Sequence, residues 1–382
     1  MFEIQWRTLI VLFIAGFLVA GGHIVLEETQ PQVLTYEPAP TAEPDPKNEL
    51  IAVEETSPSE ELEKIEDAPQ KAPEEAKPLE LALEQVASAI AQPPTAIPPT
   101  STDEINTKTR LALVNILCEA QSSTLKSTSG SGILIDSRGI VLTNAHIAQH
   151  VLLAEYTNLP IRCVIRSGSP ATPLGIPRVL YIGKSWIQEH KDQIITHHAS
   201  GTGEEDFALL YINEAPAGGT LPTSFSSIPF SVKQNSLITG DFAFLAGYPA
   251  EFVGSAATRQ NLYASTAFGR FGEIFTFGEN TSDIVSLGGT VLAQSGSSGG
   301  GALNKFGELV GLIVTTTEGA TTDERDLRAI TMSHVNRSIR NETGLSLSEY
   351  ISREPKEVIT AMEDTFTELT QALVDVIKAK TN

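Results

Sequence analysis

The sequence predicts an all-β fold for residues 106–342, the middle part of a chain of 382 residues. Short segments rich in Val, Ile and Leu recur there, and turns that contain glycine or proline separate them. The clearest candidate strands are Leu111–Cys118, Ile161–Arg166, Asp241–Gly247 and Leu309–Val314. One stretch, residues 167–203, is long for a simple connection, and we expect it to be an exposed polar insertion.

Ahead of this region, residues 1–26 are predicted to anchor the chain in a membrane. Leu9–Leu26 is apolar apart from three glycines and one histidine. A helix of this length spans about 27 Å, just enough for a bilayer core. Arg7 precedes the run and acidic residues follow it, which favours an N-terminus inside the cell. A cleaved signal peptide is the alternative, and both interpretations place the rest of the chain outside the cytoplasm.

Residues 27–105 are predicted to be a disordered acidic linker. They are rich in Pro, Glu, Ala and Thr, a composition that cannot bury enough surface to fold. They hold 19 Asp and Glu against 4 Lys, a balance of −15 out of the formal −21 of the chain. The acidity therefore belongs to the linker, and nothing in the sequence suggests a basic patch that would bind nucleic acid.

In the second half of the all-β region, the run SGSSGGGAL (295–303) predicts a nucleophile. Ser298 follows Gly296 by two residues and directly precedes three further glycines. Such small residues let the backbone N–H groups of Gly296 and Ser298 turn toward one point, where an oxyanion can be stabilised. Ser295 and Ser297 are rival nucleophiles, but neither has both the preceding glycine and the following Gly-Gly pair.

Two upstream segments supply the partners that a nucleophilic serine needs. In GSGILIDSRGIVLTNAHI (130–147), two short strands and a turn lead to His146. In EEDFALLYI (204–212), Asp206 precedes a strand. His146, Asp206 and Ser298 have the residue types of the base, the orienting acid and the nucleophile of an acyl-transfer triad.

With these motifs the chain resembles the trypsin-like serine proteases of the chymotrypsin fold, and among them the bacterial HtrA/Deg branch. The resemblance rests on three sequence boxes: TNAH (143–146), D-x-A-L-L (206–210) and G-x-S-G-G (296–300). The runs GSG (130–132), GYP (247–249) and GELVGLIV (307–314) agree with it. Spacings of 60 residues from His146 to Asp206 and 92 from Asp206 to Ser298 suit one domain of that family.

The resemblance implies a double six-stranded β-barrel with the active site in the cleft between the barrels. His146 and Asp206 are expected from the first barrel and Ser298 from the second. By resemblance, the N–H groups of Gly296 and Ser298 form the oxyanion hole. No cofactor is implied, and the histidines between residues 190 and 198 match no tight metal-ligand spacing.

The resemblance also indicates the primary specificity pocket. Its base is expected at Leu292, six residues before Ser298, and its wall at Val314, Thr315 and Thr316. Because no charged residue stands there, the P1 side chain of the substrate is expected to be small or medium and apolar.

One departure from the family concerns Ser297, which stands where zymogen-type trypsins have an aspartate that pairs with a newly cut N-terminus. We therefore do not expect activation by a freed N-terminal ammonium. HtrA-like proteases order their active-site loops by other contacts.

Both cysteines of the chain, Cys118 and Cys163, lie in predicted strands of the first barrel. Oxidation is permitted outside the cytoplasm, so we expect a disulfide between them. A pair of buried free thiols is the alternative.

Residues 343–382 are predicted to form a helical tail. Ser333 is a candidate cap for a helix that starts near His334, and Glu357–Lys378 has apolar residues at helical spacing. The tail is far too short for the PDZ domain that usually follows an HtrA protease domain, so PDZ-mediated capture of substrates is not expected.

These features predict a membrane-tethered serine endopeptidase of the bacterial cell envelope that acts on exposed or misfolded polypeptides. If the N-terminal segment is cleaved, the enzyme is secreted. The alternative is a catalytically silent pseudoprotease that binds peptides or serves as an envelope scaffold. The sequence leaves the oligomeric state open.

Overall fold

The computed structural model describes residues 100–122, 124–155, 159–196 and 202–381. Its first β-structure is a closed barrel with the strand order β1-β2-β3-β6-β5-β4. The strands are β1 Leu113–Ala120, β2 Thr128–Asp136, β3 Ile140–Thr143, β4 Ile161–Ser167, β5 Thr172–Ile182 and β6 Ala208–Glu214. Since β1 pairs with both β2 and β4, the barrel closes on itself.

Helices precede, follow and interrupt the strands. In chain order they are α1 Thr102–Ala112, α2 Ala145–Ala154, α3 Lys184–His190, α4 Gly254–Gln260, α5 Met332–Thr343, α6 Leu347–Ser352, α7 Pro355–Ala361 and α8 Glu363–Thr381. The first barrel is filled by branched apolar side chains, with Ile116, Ile133 and Leu142 fully buried. Such burial stabilises the fold by about 25 cal/mol per Å² of apolar surface.

Within the stretch 167–203, expected to be an exposed insertion, residues 172–182 in fact form a strand of the barrel. The stretch contains β5 and then α3, on which Trp186 and Ile187 are buried. Pro173, Gly175 and Pro177 interrupt β5, and such residues weaken the sequence pattern of a strand.

The second β-structure is an open sheet of seven strands in the order β8-β7-β11-β12-β13-β10-β9. The strands are β7 Phe242–Gly247, β8 Ser265–Arg270, β9 Ile274–Phe275, β10 Ile284–Gly288, β11 Gly301–Leu303, β12 Leu309–Thr316 and β13 Leu327–Thr331. The described part of the chain is thus mostly β, with one six-stranded barrel and one half-barrel. The predicted second closed barrel is not formed, because β8 and β9 do not pair. Between them, Phe271 exchanges backbone hydrogen bonds with Gly240 and Asp241 and turns the chain back toward β7.

The C-terminal region forms four helices, α5 to α8, where the sequence suggested fewer. Thr331 caps α5, since its Oγ1 accepts the N–H of His334 over 3.1 Å; the predicted cap, Ser333, lies inside the helix. The predicted helix Glu357–Lys378 is split into α7 and α8 at Met362, whose backbone leaves the helical conformation. On α8, Phe366, Leu369 and Leu373 are buried in the same core as the first barrel.

Within the described part of the chain, no helix combines the length and the apolar character needed to cross a membrane. The predicted anchor, residues 1–26, and residues 27–99 of the predicted linker lie outside the described residues.

Candidate active site

His146 and Asp206 meet because the strands next to them are paired. β3 runs antiparallel to β6 with Thr143 opposite Ala208, so the chain leaves β3 and enters β6 at the same end of the barrel. Asp206 lies two residues before β6, and His146 lies in the first turn of α2. Asn144 strengthens this junction, since its Nδ2 donates to the Asp206 carbonyl oxygen over 2.7 Å.

The Asp206 carboxylate binds His146 at two points. The backbone N–H of His146 donates to Oδ1 over 2.9 Å, and the ring Nδ1 lies 2.7 Å from Oδ2. When Nδ1–H donates to the carboxylate, the neutral ring carries its lone pair on Nε2, as a general base requires. Asp206 is only 7% exposed, so little water competes for these contacts.

Ser298 lies in the loop between β10 and β11, and its backbone is bound to the first barrel. The N–H of Ser131, on β2, donates to the carbonyl of Ser298 over 2.7 Å. Gly299 has a φ of 85°, and a Cβ there would lie 2.0 Å from the Ser131 carbonyl oxygen, so only glycine fits. His146 and Ser298 line one cleft. No described residue hydrogen-bonds Ser298 Oγ; the contact between nucleophile and base often tightens only when substrate binds.

Within residues 295–300, two backbone donors have no acceptor among the described residues: the N–H groups of Gly296 and Ser298. The neighbouring N–H groups are used, that of Ser297 by the Gln294 carbonyl at 3.2 Å and that of Gly299 by the Ile313 carbonyl at 2.8 Å. The two predicted oxyanion-hole donors are therefore available to a substrate carbonyl oxygen.

The cleft has a volume of about 450 Å³ and includes polar residues that sequence reasoning missed. They come from the loop before β2, from the start of β2, from α2 and from the residues after α3: Lys126, Ser127, Thr128, Ser129, Gln149, His150, Gln193 and Thr196. His150 lies one helical turn after His146, a spacing that could have identified it. Burial lowers the pKa of His150 to about 4, so it is neutral near pH 7.

The predicted specificity residues fall in different places. Val314 lines the cleft together with Ile313 and Leu327. Leu292 is fully buried in the core of the second sheet and does not line the cleft. The backbone of Thr315 and Thr316 continues β12 and pairs with β13, and their side chains lie outside the described residues.

Cys118 and Cys163 face each other on β1 and β4 and are joined by a disulfide. The structure thus has the predicted bridge, and the alternative of two free thiols is not seen.

In the described segments, no group of three His, Cys, Asp or Glu side chains could hold a metal ion. His197 and His198 lie outside the described residues.

Residues 130–312 match the family model of the trypsin-like peptidase domain. The chain therefore contains a trypsin-like peptidase domain. The matched segment contains His146, Asp206 and Ser298, and a peptidase domain implies polypeptide substrates. The predicted enzyme class is therefore confirmed.

Among solved structures, the peptidase is similar to a serine endoprotease from Yersinia pestis, with 17% identity and a TM-score of 0.41 over 65% of this chain and 69% of that chain. It is also similar to Deg5, with 16% identity and a TM-score of 0.40 over 62% of this chain and 94% of that chain. No curated protein matches the chain.

Proposed function

We propose that this peptidase cleaves internal peptide bonds of exposed or misfolded polypeptides, with His146, Asp206 and Ser298 as its triad. The observation that carries the proposal is the doubly hydrogen-bonded pair of His146 and Asp206. This pair lies in the same cleft as Ser298, whose loop presents two N–H groups without acceptors among the described residues.

In the proposed reaction, Ser298 Oγ attacks the carbonyl carbon of the scissile bond while His146 Nε2 takes the hydroxyl proton. The carbonyl oxygen becomes an oxyanion, which the N–H groups of Gly296 and Ser298 stabilise by about 3–4 kcal/mol per donor. His146 then gives its proton to the leaving amine as the C–N bond breaks, and an acyl-enzyme remains. Water, deprotonated by His146, attacks the ester, releases the acid and restores Ser298, while Asp206 stays ionised throughout.

A small or medium apolar P1 side chain is the proposed preference. Ile313, Val314 and Leu327 give the cleft an apolar lining, and all three are at most 5% exposed. Among the described residues that line the cleft, the single carboxylate is Glu318, which is exposed. Cleavage of a peptide library should therefore favour Val, Ala or Leu at P1, and a profile dominated by basic P1 residues would contradict the proposal.

We further propose that the peptidase domain is tethered to the membrane and lies outside the cytoplasm. The apolar run Leu9–Leu26 supports this, as does the disulfide, since such bridges are rare in cytosolic proteins. Cell fractionation tests it: the full chain should stay with membranes after an alkaline wash and be digested by protease added from outside. A shortened soluble chain outside the cytoplasm would indicate a cleaved signal peptide instead, and a cytoplasmic chain would contradict both.

The first experiment is covalent labelling of the purified full chain with a fluorophosphonate, which reacts only with an activated serine. Labelling should map to Ser298 and be lost in Ser298→Ala and His146→Ala, while Ser295→Ala, a matched neighbour, should label like wild type. A folded wild-type chain that stays unlabelled would favour the pseudoprotease.

A further inference from the structure

One backbone hydrogen bond fixes the direction of a predicted oxyanion-hole donor. The N–H of Gly296 belongs to the same planar trans peptide group as the carbonyl of Ser295, so the two point in opposite directions. The N–H of Ala250 donates to that carbonyl over 2.8 Å. As long as this bond holds, the Gly296 N–H points away from Ala250, and it has no acceptor among the described residues.

The turn that carries Ala250 also binds the other polar backbone group of Ser295. Glu251 Oε2 accepts the Ser295 N–H over 3.1 Å. The loop packs closely against this turn: Gly296 has a φ of 95°, and a Cβ there would lie 2.5 Å from the Tyr248 carbonyl oxygen, so only glycine fits. The backbone carbonyl and N–H of Ser295 are thus held by two consecutive residues, Ala250 and Glu251.

Arg325 in turn holds Glu251. Its Nη1 and Nη2 donate to Oε2 and Oε1 of Glu251 over 2.9 and 3.0 Å, a bidentate contact. Nη1 also donates to the Ala293 carbonyl over 3.0 Å, and Nε donates to the Gly319 carbonyl over 3.2 Å. The hydrogen bonds from Arg325 lower the pKa of Glu251. One guanidinium therefore joins the turn after β7, the nucleophile loop and the loop before β13.

The side chain of Ser297, directly before the proposed nucleophile, makes no hydrogen bond to a described residue that would hold the loop. Ser297 is fully buried, and its Oγ has no hydrogen-bond partner among the described residues. On the opposite side of the loop, Ser131 Oγ donates to the Gly296 carbonyl over 2.7 Å. The conformation of Ser295 and Gly296 thus depends on the pair of Glu251 and Arg325 on one side and on Ser131 on the other.

We propose that Glu251 and Arg325 are positioning residues that keep the Gly296 N–H directed into the oxyanion hole. The inference rests on the proposed function, since it assumes that Gly296 and Ser298 bind the oxyanion. Neither side chain is assigned a contact with substrate. Their loss should affect the step in which the oxyanion forms more than it affects the binding of a ground-state peptide.

The test measures kcat and KM for a peptide substrate, and the rate of fluorophosphonate labelling, in the full chain. Glu251→Gln keeps an acceptor for the Ser295 N–H but loses the ion pair, and Arg325→Gln loses the guanidinium. Removing one oxyanion donor outright lowers kcat by about 10²–10³-fold, so a misdirected donor should lower kcat by about 10- to 100-fold with KM within about twofold. The double variant should be about as slow as the slower single variant, because both remove one interaction.

Arg325→Lys keeps the charge but cannot make the bidentate contact, and we expect an intermediate kcat with the fold intact. Lys305→Gln is the matched control, because it breaks the partly exposed pair of Lys305 and Asp241 in the same half of the molecule; its kcat should equal that of wild type. The proposal is overturned if kcat of all three Glu251 and Arg325 variants stays within twofold of wild type, or if the two losses add independently. It is also overturned if binding of a product peptide, which has no oxyanion, weakens as much as kcat. A wild-type chain that does not label would instead remove the proposed function itself.

Discussion

The first barrel and the second sheet hold their parts of the proposed catalytic site in different ways. In the barrel, His146 and Asp206 are joined side chain to side chain over 2.7 Å, at the end of two buried, paired strands. In the open sheet, the loop of Gly296 and Ser298 is held by backbone contacts and by the pair of Glu251 and Arg325 at its edge. The proposed base is thus fixed by the core, whereas the proposed oxyanion donors depend on loops that can shift without unfolding the sheet.

The largest expected effect comes from Asp206→Asn, which changes the side-chain contact between His146 and Asp206 in the first barrel. An amide at this position favours the His146 tautomer whose lone pair lies on Nδ1, so Nε2 no longer accepts the proton of Ser298. Steady-state kinetics should show kcat lowered by about 10⁴-fold with the fold retained. Glu155→Gln, which removes an exposed carboxylate paired with Arg178 in the same barrel, is the control. A loss below about tenfold would mean that Asp206 does not orient the base.

The next effect concerns the stability of the barrel. Cys118 and Cys163 are 45 residues apart, and removing a bridge of this span costs about 2–4 kcal/mol of the free energy of unfolding. The double variant Cys118→Ala/Cys163→Ala should therefore melt at a lower temperature, with kcat unchanged well below the melting point. Wild type kept in a reducing agent should behave like the double variant. A double variant with unchanged melting temperature would show that closure of the barrel alone suffices.

Ser131→Ala tests a contact between the two halves, because Ser131 lies on β2 of the first barrel and binds Gly296 in the loop of the second sheet. Its Oγ donates to the Gly296 carbonyl over 2.7 Å and accepts the Tyr248 N–H over 2.8 Å. The substitution leaves the buried Tyr248 N–H without this acceptor, at a cost of about 1–3 kcal/mol, and kcat should fall because Gly296 is freed on one side. Denaturant unfolding and kinetics together check this. Ser352→Ala should change neither, because Ser352 is exposed and its hydroxyl donates only to the Glu349 carbonyl of its own helix.

The sequence predicts the site residues of the first barrel better than the contacts of the second sheet. His146 and Asp206 lie next to strands whose apolar patterns are clear in the sequence. One local motif beside each strand predicts that these strands pair. Whether a sheet closes into a barrel depends instead on which strands pair across long loops. No local sequence pattern therefore indicates that the sheet ends at β9. The contact of Glu251 with Arg325 joins residues 74 positions apart, and no spacing rule indicates such a pair. His150 could have been predicted from the sequence, since it follows His146 by one helical turn.

A last contact joins the two halves next to Asp206. Glu205, directly before Asp206, has a φ of 58°, which is unusual for a residue with a side chain. Its carboxylate accepts a hydrogen bond from Ser338 of α5 and lies 3.6 Å from His334 Nε2, an ion-pair distance rather than a hydrogen bond. His334 Nδ1 lies 3.0 Å from Asp283 Oδ1, and Arg337 also binds Asp283. His334 is thus enclosed by two carboxylates, and one of them belongs to the residue directly before Asp206.

The smallest predicted effect is a dependence of stability on pH through His334. Burial lowers its pKa, but the contact with Asp283 and the negative charges of Glu205 and Asp283 outweigh burial and raise the pKa above the ordinary 6.5. A raised pKa means that the folded state binds the proton more tightly than the unfolded state, so this stabilisation is complete below pH 6.5 and is lost as pH rises through the folded pKa. The pKa values of both carboxylates are lowered, so they stay ionised over this window. The melting temperature of wild type should exceed that of His334→Gln by more at about pH 5.5 than at about pH 8.5. A difference that is constant, or that grows with pH, would mean that His334 is neutral between its two carboxylates and that this contact depends on packing alone.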